Sequence, residues 1–116
     1  MSKKTFPLSL EQLCEAAARF PTPFHLYDEA AIRANARRIR AAFAAVPGYR
    51  EFFAVKALPN PFILKVLAEE GFGADCSSLA ELRICQAVGL SGDRVMMTSN
   101  ETPDGEFREA RKMGPS

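Results

Sequence analysis

Residues 52–61, which read FFAVKALPNP, decide the fold. The apolar run over residues 52–55 predicts a strand buried on both faces. Lys56 ends this strand, and Asn60-Pro61 is a helix cap followed by a first-turn proline. A strand that leads so quickly into a helix is typical of a parallel α/β unit.

The same unit recurs twice farther along the chain. Further strands are predicted at Ala74–Cys76 and Arg94–Thr98, each followed by a helix, from Ser78 to Val88 and from Thr102-Pro103 to Gly114. Such alternation predicts parallel strands joined by right-handed crossovers. No glycine-rich phosphate loop follows the first strand, which favours consecutive units of a (β/α)₈ barrel over a doubly wound sheet. A barrel takes about 250 residues, so we expect this α/β chain of 116 residues to form a partial TIM barrel.

The residues before the first unit predict two helices and a short strand. Ser9 and Gln12 have the spacing of a capping box, which predicts a helix that ends near Phe20. Phe24–Tyr27 is predicted as a strand, and Asp28 as the cap of a second helix. We therefore divide the chain into residues 1–27 and an incomplete barrel over residues 28–116. The apolar stripe of the second helix is Ile32, Ala36, Ile39, Phe43 and Val46.

Composition narrows the class of protein. The chain is 47% apolar and 25% charged, and its formal net charge of +1 argues against a nucleic-acid or membrane-surface role. We expect no signal peptide and no membrane span, and hence a cytoplasmic protein. Three cysteines without a CxxC pair and a single histidine predict no metal site. Cys14 and Cys85 are expected to be buried small hydrophobes.

Three places follow the predicted strands, and parallel strands would put them on one rim: Lys56, residues 75–78 and residues 98–100. A lysine that ends an apolar strand can be desolvated, which would lower its pKa and free the amine for a Schiff base. The alternative is a lysine whose amine extends into water. The local pattern alone favours that alternative.

The second strand end carries several polar groups. Asp75 could orient a cofactor or pair with Lys56, or could be a solvated loop carboxylate. Ser78 is better explained as the start of a capping box with Glu81 than as a catalytic group, although a helix N-terminus on this rim also favours anions. Cys76 is interpreted as a packing residue and Asn100 as a turn residue.

Four blocks in order resemble one family. Residues 22–28 (TPFHLYD), 53–60 (FAVKALPN), 73–78 (GADCSS) with Glu81-Leu82, and 97–100 (MTSN) with Thr102-Pro103 are similar to motifs of the fold-type III, alanine-racemase-like decarboxylases that depend on pyridoxal 5'-phosphate. Among these, diaminopimelate decarboxylases are the most similar. The resemblance extends from about Phe20 to Met113.

The resemblance implies a function for the whole protein. Lys56 would form the Schiff base with pyridoxal phosphate, and Ala54 and Asp75 would lie beside the cofactor. The cofactor would stabilise the carbanion left when carbon dioxide departs from meso-diaminopimelate, which yields lysine. The family joins the barrel to a C-terminal β-domain, to which residues 24–27 would belong, and forms homodimers. Its phosphate loop and the residues at its shared site are expected beyond Ser116.

Two positions depart from the diaminopimelate pattern, and alternatives remain open. Leu79-Ala80 replaces a common Gly-Gly pair, and Thr102 replaces a lysine. One alternative is a decarboxylase of the same fold that acts on ornithine, arginine or carboxynorspermidine; alanine racemase fits less well. Another is a pyridoxal-phosphate carrier protein without catalysis, which the predicted β-domain strand argues against.

Overall fold

The computed structural model describes residues 5–98, 100–112 and 114. Within them, three parallel strands form one sheet in the order β1-β2-β3, with bounds Phe52–Ala54, Gly73–Cys76 and Val95–Met97. The helices are α1 (Leu10–Arg19), α2 (Glu29–Ala42), α3 (Pro61–Glu69), α4 (Leu79–Ala87) and α5 (Asp104–Lys112). The predicted alternation of strand and helix is confirmed. Short 3-10 turns follow β1 at Val55–Ala57 and precede β3 at Gly92–Arg94.

The helices begin where local capping signals predict. The Ser9 hydroxyl accepts a hydrogen bond from the Gln12 N–H and the Gln12 side chain accepts one from the Ser9 N–H, which completes the capping box of α1. The Asp28 carboxylate caps α2, and the Asn60 side chain caps α3 by accepting from the Phe62 N–H at 2.9 Å. Each cap satisfies a backbone donor that the first helical turn leaves unpaired.

The core lies on the helix side of the sheet. Ala74 and Cys76 of β2 are fully buried against Leu64 of α3 and Leu82 of α4. A second cluster joins α2 to α3, and it contains Ala36, Ile63, Leu67 and Phe72. Because side chains alternate along a strand, Asp75 lies on the opposite face of the sheet from Ala74 and Cys76.

Burial at β1 is lower than predicted. All three residues of Phe52–Ala54 are only half-buried, and full burial begins at Val55. Helices cover one face of this strand, and no strand of the described residues pairs with its outer edge. Helix α2 ends at Ala42, so the predicted apolar stripe does not continue in the core, and Phe43 and Val46 are exposed.

One further prediction is wrong in the described structure, and another stays a prediction. Residues 24–27 form no strand with the described residues, but the sequence predicts that they pair with a C-terminal β-domain outside residues 1–116, so this strand stays a prediction. Cys14 is exposed, because α1 buries none of its residues against the rest of the described chain. The buried position of Cys85 is confirmed.

Two features are absent from the described residues. None of their helices is both long enough and apolar enough to cross a membrane. Nor do three or more of their His, Cys, Asp or Glu side chains group as metal ligands would.

Candidate active site

The three strand ends share one rim, as predicted from parallel pairing. The turn that carries Lys56 packs against β2, which ends at Cys76. The Thr98 N–H donates to the Cys76 carbonyl at 2.8 Å and so continues the pairing of β2 with β3. Lys56, Asp75 and Thr98 are therefore close to the carboxyl edge of a single sheet.

Lys56 is held at the rim through its neighbours. The preceding Val55 is fully buried, and its carbonyl accepts from the Leu58 N–H at 3.1 Å, which closes a 3-10 turn around Lys56. The Lys56 side chain itself is exposed. The desolvated environment expected from the sequence is thus not formed by the described residues, because a sheet of three strands does not enclose the rim.

A row of paired residues crosses the sheet at this level. Ala54 pairs with Asp75, and Asp75 pairs with Met96, so the three side chains project from the same face. One Asp75 carboxylate oxygen, Oδ1, is buried and accepts no hydrogen bond from the described residues. A buried carboxylate oxygen without a donor is costly. The site therefore has an unused acceptor next to the strand that leads to Lys56.

Cys76 is a packing residue, as predicted. Its sulfur lies 3.3 Å from the sulfur of Cys85 on α4, and both residues are fully buried. The hydrogen bond with Cys85 and burial both raise the pKa of the Cys76 thiol. A neutral, inaccessible thiol is a poor nucleophile.

The turn between β2 and α4 contains a hydrogen-bond cluster that the sequence showed only in part. Ser78 caps α4 by accepting from the Glu81 N–H at 3.3 Å, as the capping box predicts. The Glu81 carboxylate, however, accepts from the Ser77 N–H at 2.8 Å. It also accepts from the hydroxyls of Ser77 and Ser78, each at 3.1 Å. The capping-box spacing was the available signal for Glu81, but it did not indicate Ser77 as the partner.

The third strand end contributes less. Thr98 and Asn100 are both exposed, and Asn100 lies in a bend, in agreement with its interpretation as a turn residue. Ser99, which belongs to the same motif block, is outside the described residues. Two surface cavities of about 530 and 540 Å³ open on the described chain. Ala54 lines the second of these cavities, whereas Lys56 and Asp75 line neither.

Comparison with known proteins identifies the family. Residues 29–115 match the model of the pyridoxal-dependent decarboxylase family, in its pyridoxal binding domain. The chain belongs to this family. Protein TabA of Pseudomonas amygdali pv. tabaci is 44% identical over 113 residues, which are 97% of this chain and 26% of TabA. A diaminopimelate decarboxylase of Deinococcus radiodurans is 37% identical over 107 residues, which are 92% of this chain and 27% of the enzyme.

A solved structure gives the same result. The lysine decarboxylase of Selenomonas ruminantium superposes with a TM-score of 0.80 at 28% identity, over 95% of this chain and 28% of that one. The three-stranded sheet is accordingly part of a TIM barrel, as predicted. The chain spans about a quarter of the length of the curated relatives named above.

The residues at the rim fit the family's cofactor, pyridoxal phosphate. Lys56 supplies a primary amine at a strand end, and Ala54 is small enough to leave room beside it. The unpaired Oδ1 atom of Asp75 can accept a hydrogen bond or face a positive charge. At the start of α4, the Ser77 N–H and the Ser78 hydroxyl already donate to the Glu81 carboxylate, so these two groups are not free to bind the phosphate of the cofactor.

Proposed function

We propose that the chain supplies the cofactor-binding lysine of an amino-acid decarboxylase that depends on pyridoxal phosphate. The observation that supports this most directly is the position of Lys56, exposed at the carboxyl end of β1, beside a strand whose Asp75 has an unpaired buried oxygen. Family membership makes a decarboxylase the natural reaction class, in preference to a carrier without catalysis.

Each rim residue receives one role in this proposal. Lys56 Nζ holds the cofactor covalently until the substrate amine replaces it. Asp75 faces this amine and stabilises its positive charge across the paired strands. Ala54 lies on the same face of the sheet and leaves space for the cofactor. When bound, the cofactor supplies an electron sink for the electron pair released as carbon dioxide departs.

We infer that the substrate of the whole protein is meso-diaminopimelate and its product lysine, which places the reaction in lysine biosynthesis. The support is the identity of 37% with a diaminopimelate decarboxylase. Decarboxylation of lysine or ornithine is the second candidate, because similar solved structures are a lysine decarboxylase and a lysine/ornithine decarboxylase. The whole protein is further proposed to be a cytoplasmic homodimer.

The lysine assignment is tested by absorption spectroscopy on the whole protein. Bound pyridoxal phosphate should give a visible-wavelength band, and Lys56→Ala should remove it, because the covalent bond to the amine is lost. Lys65→Ala is the matched control, since Lys65 is an exposed lysine on α3 and should leave the band unchanged. A band that persists in Lys56→Ala would show that another group holds the cofactor.

The substrate is tested by carbon dioxide release from a panel of meso-diaminopimelate, lysine, ornithine and arginine. We expect the highest kcat/KM for meso-diaminopimelate. A higher value for any of the other three would contradict the substrate assignment and would leave the lysine assignment intact.

A further inference from the structure

The carboxylate of Glu81 connects helix α4 to the end of strand β2. One oxygen accepts from the Ser77 N–H at 2.8 Å, and the other accepts from the Ser78 hydroxyl at 3.1 Å. A hydrogen bond from a backbone N–H to an ionised carboxylate is about twice as strong as a neutral one. The backbone at Ser77 is thereby attached to the first turn of α4.

A second contact holds the neighbouring residue from the same side. The Cys76 sulfur packs against the sulfur of Cys85 at 3.3 Å, in the fully buried core between β2 and α4. Cys76 and Ser77 are therefore both attached to α4. Asp75 directly precedes them and projects to the opposite face, towards the site. The direction of the Asp75 side chain therefore depends on the backbone at Cys76 and Ser77, which contacts with α4 hold in place.

The position of Glu81 disfavours binding of an anion at the start of α4. Its negative charge lies at the N-terminus of α4, where it satisfies the positive end of the helix dipole. A phosphate at the same place would be repelled by the carboxylate. This removes the expectation that the start of α4 attracts an anionic group, and it leaves Glu81 with a role directed at the turn.

We propose that Glu81 is a positioning residue for the cofactor site: its carboxylate fixes the backbone at Ser77 and so keeps Asp75 directed at the Lys56 amine. This inference rests on the proposed roles of Lys56 and Asp75. In the protein without cofactor, the Ser77 N–H is then bonded to the Glu81 side chain and not to water.

The first test uses the whole protein without cofactor. Hydrogen exchange at the Ser77 amide should be slow in the wild-type protein and markedly faster in Glu81→Ala, with Glu81→Gln in between because one acceptor oxygen remains. Ser78→Ala is the matched control, because it removes the cap of the same helix but leaves the bond from the Ser77 N–H to Glu81. Equal protection of Ser77 in wild type and Glu81→Ala would overturn the proposal.

The second test measures coupling between Glu81 and Asp75. The dissociation constant for pyridoxal phosphate, from titration of the visible band, should rise about tenfold in Glu81→Ala, which corresponds to about 1.4 kcal/mol. If Glu81 acts through Asp75, then Glu81→Ala should add little to the effect of Asp75→Asn in the double variant. Fully additive effects would show that Glu81 acts on the site independently of Asp75.

Different measurements would contradict the proposed function and the positioning role of Glu81. Absence of a visible band in the wild-type protein would contradict the proposed function, while the exchange measurement would still decide whether Glu81 holds Ser77. A normal band that Lys56→Ala removes, combined with unchanged cofactor affinity in both Glu81 variants, would contradict the positioning role alone.

Discussion

Gly73, at the start of β2, shows how one residue depends on its neighbours in the sheet. A Cβ atom built on Gly73 would lie 2.6 Å from the Phe52 ring and 2.7 Å from the Arg94 carbonyl oxygen. The carbonyl belongs to the backbone and cannot rotate away as a flexible side chain would. The requirement for glycine here is therefore steric and comes from β1 on one side and from the turn that precedes β3 on the other.

A substitution of Gly73 by alanine should reduce stability. We expect Gly73→Ala to lower the free energy of unfolding by about 1–3 kcal/mol, the usual cost of overpacking. Gly105→Ala is the matched control, because nothing lies within 4 Å of a Cβ built there and the residue is in α5. It should leave stability unchanged or raise it by up to about 1 kcal/mol. Denaturant unfolding compares the two, and equal effects would refute the steric argument.

The position of Lys56 was predictable from the sequence, whereas its exposure was not. Its position at a strand end followed from the apolar run before it and the helix cap after it, which are local signals. Its exposure in the described chain did not follow, because the number of strands around the rim decides how much water reaches the amine. The unpaired oxygen of Asp75 is equally a property of the assembled sheet.

At the scale of elements, an ion-pair network fastens α2 to the end of α3. Glu70 is buried, and its carboxylate accepts two hydrogen bonds from Arg37, each at 2.7 Å, and one from Arg33 at 3.1 Å. Arg33 also binds Glu69 at 2.6 Å. The hydrogen bond from Arg37 has the largest effect and, with Arg33, lowers the pKa of Glu70 from 4.5 to about 2 against the opposing effect of burial.

This shift predicts acid sensitivity at the joint between α2 and α3. Because the pKa of Glu70 is lower in the folded state than in the unfolded one, the carboxylate stabilises the fold above about pH 4.5. This contribution is lost as the pH falls from about 4.5 towards 2. Glu70→Gln should be less stable at pH 7 and should show a weaker loss of stability in that acid range.

Denaturant unfolding at a series of pH values measures the effect. Glu69→Gln is the control, since the Glu69 side chain is half exposed and binds Arg33 at the edge of the same network. It should keep the acid dependence of the wild-type protein. An unchanged acid dependence in Glu70→Gln would show that Glu70 does not carry it.

Elements differ in how well the sequence predicts them. The helix starts at Ser9, Asp28 and Asn60 were predicted correctly, because each cap involves residues two or three positions apart. The pairing of Arg37 with Glu70 spans 33 positions and left no local signal. The strand predicted at residues 24–27 stays a prediction, because the partner predicted for it is a β-domain outside residues 1–116.

At the scale of the whole molecule, the described chain is open. Its radius of gyration is 17.2 Å, whereas a closed domain of this length has about 13 Å. The outer edges of β1 and β3 have no strand partner among the described residues. Open edges and half-buried apolar residues such as Phe52 and Phe53 favour association with other chain segments.

The open sheet predicts that these 116 residues alone do not decarboxylate diaminopimelate. Lys56 is exposed to water, and the Ser77 N–H near the rim already donates to Glu81 and is not free for the cofactor phosphate. Purified chain supplied with pyridoxal phosphate should release no carbon dioxide above the level of a Lys56→Ala variant. Release that depends on Lys56 would refute this prediction and would show that three barrel units suffice.

The sequence by itself determined the order and type of the barrel units, their helix caps and the placement of Lys56 and Asp75 at strand ends. These depend on hydrophobic period and on contacts within a few residues. Only the tertiary structure decided which groups meet across the fold: Ala54 with Asp75, and Glu70 with two arginines. Strand register, burial and charge pairing arise when distant segments pack, and no local pattern encodes them.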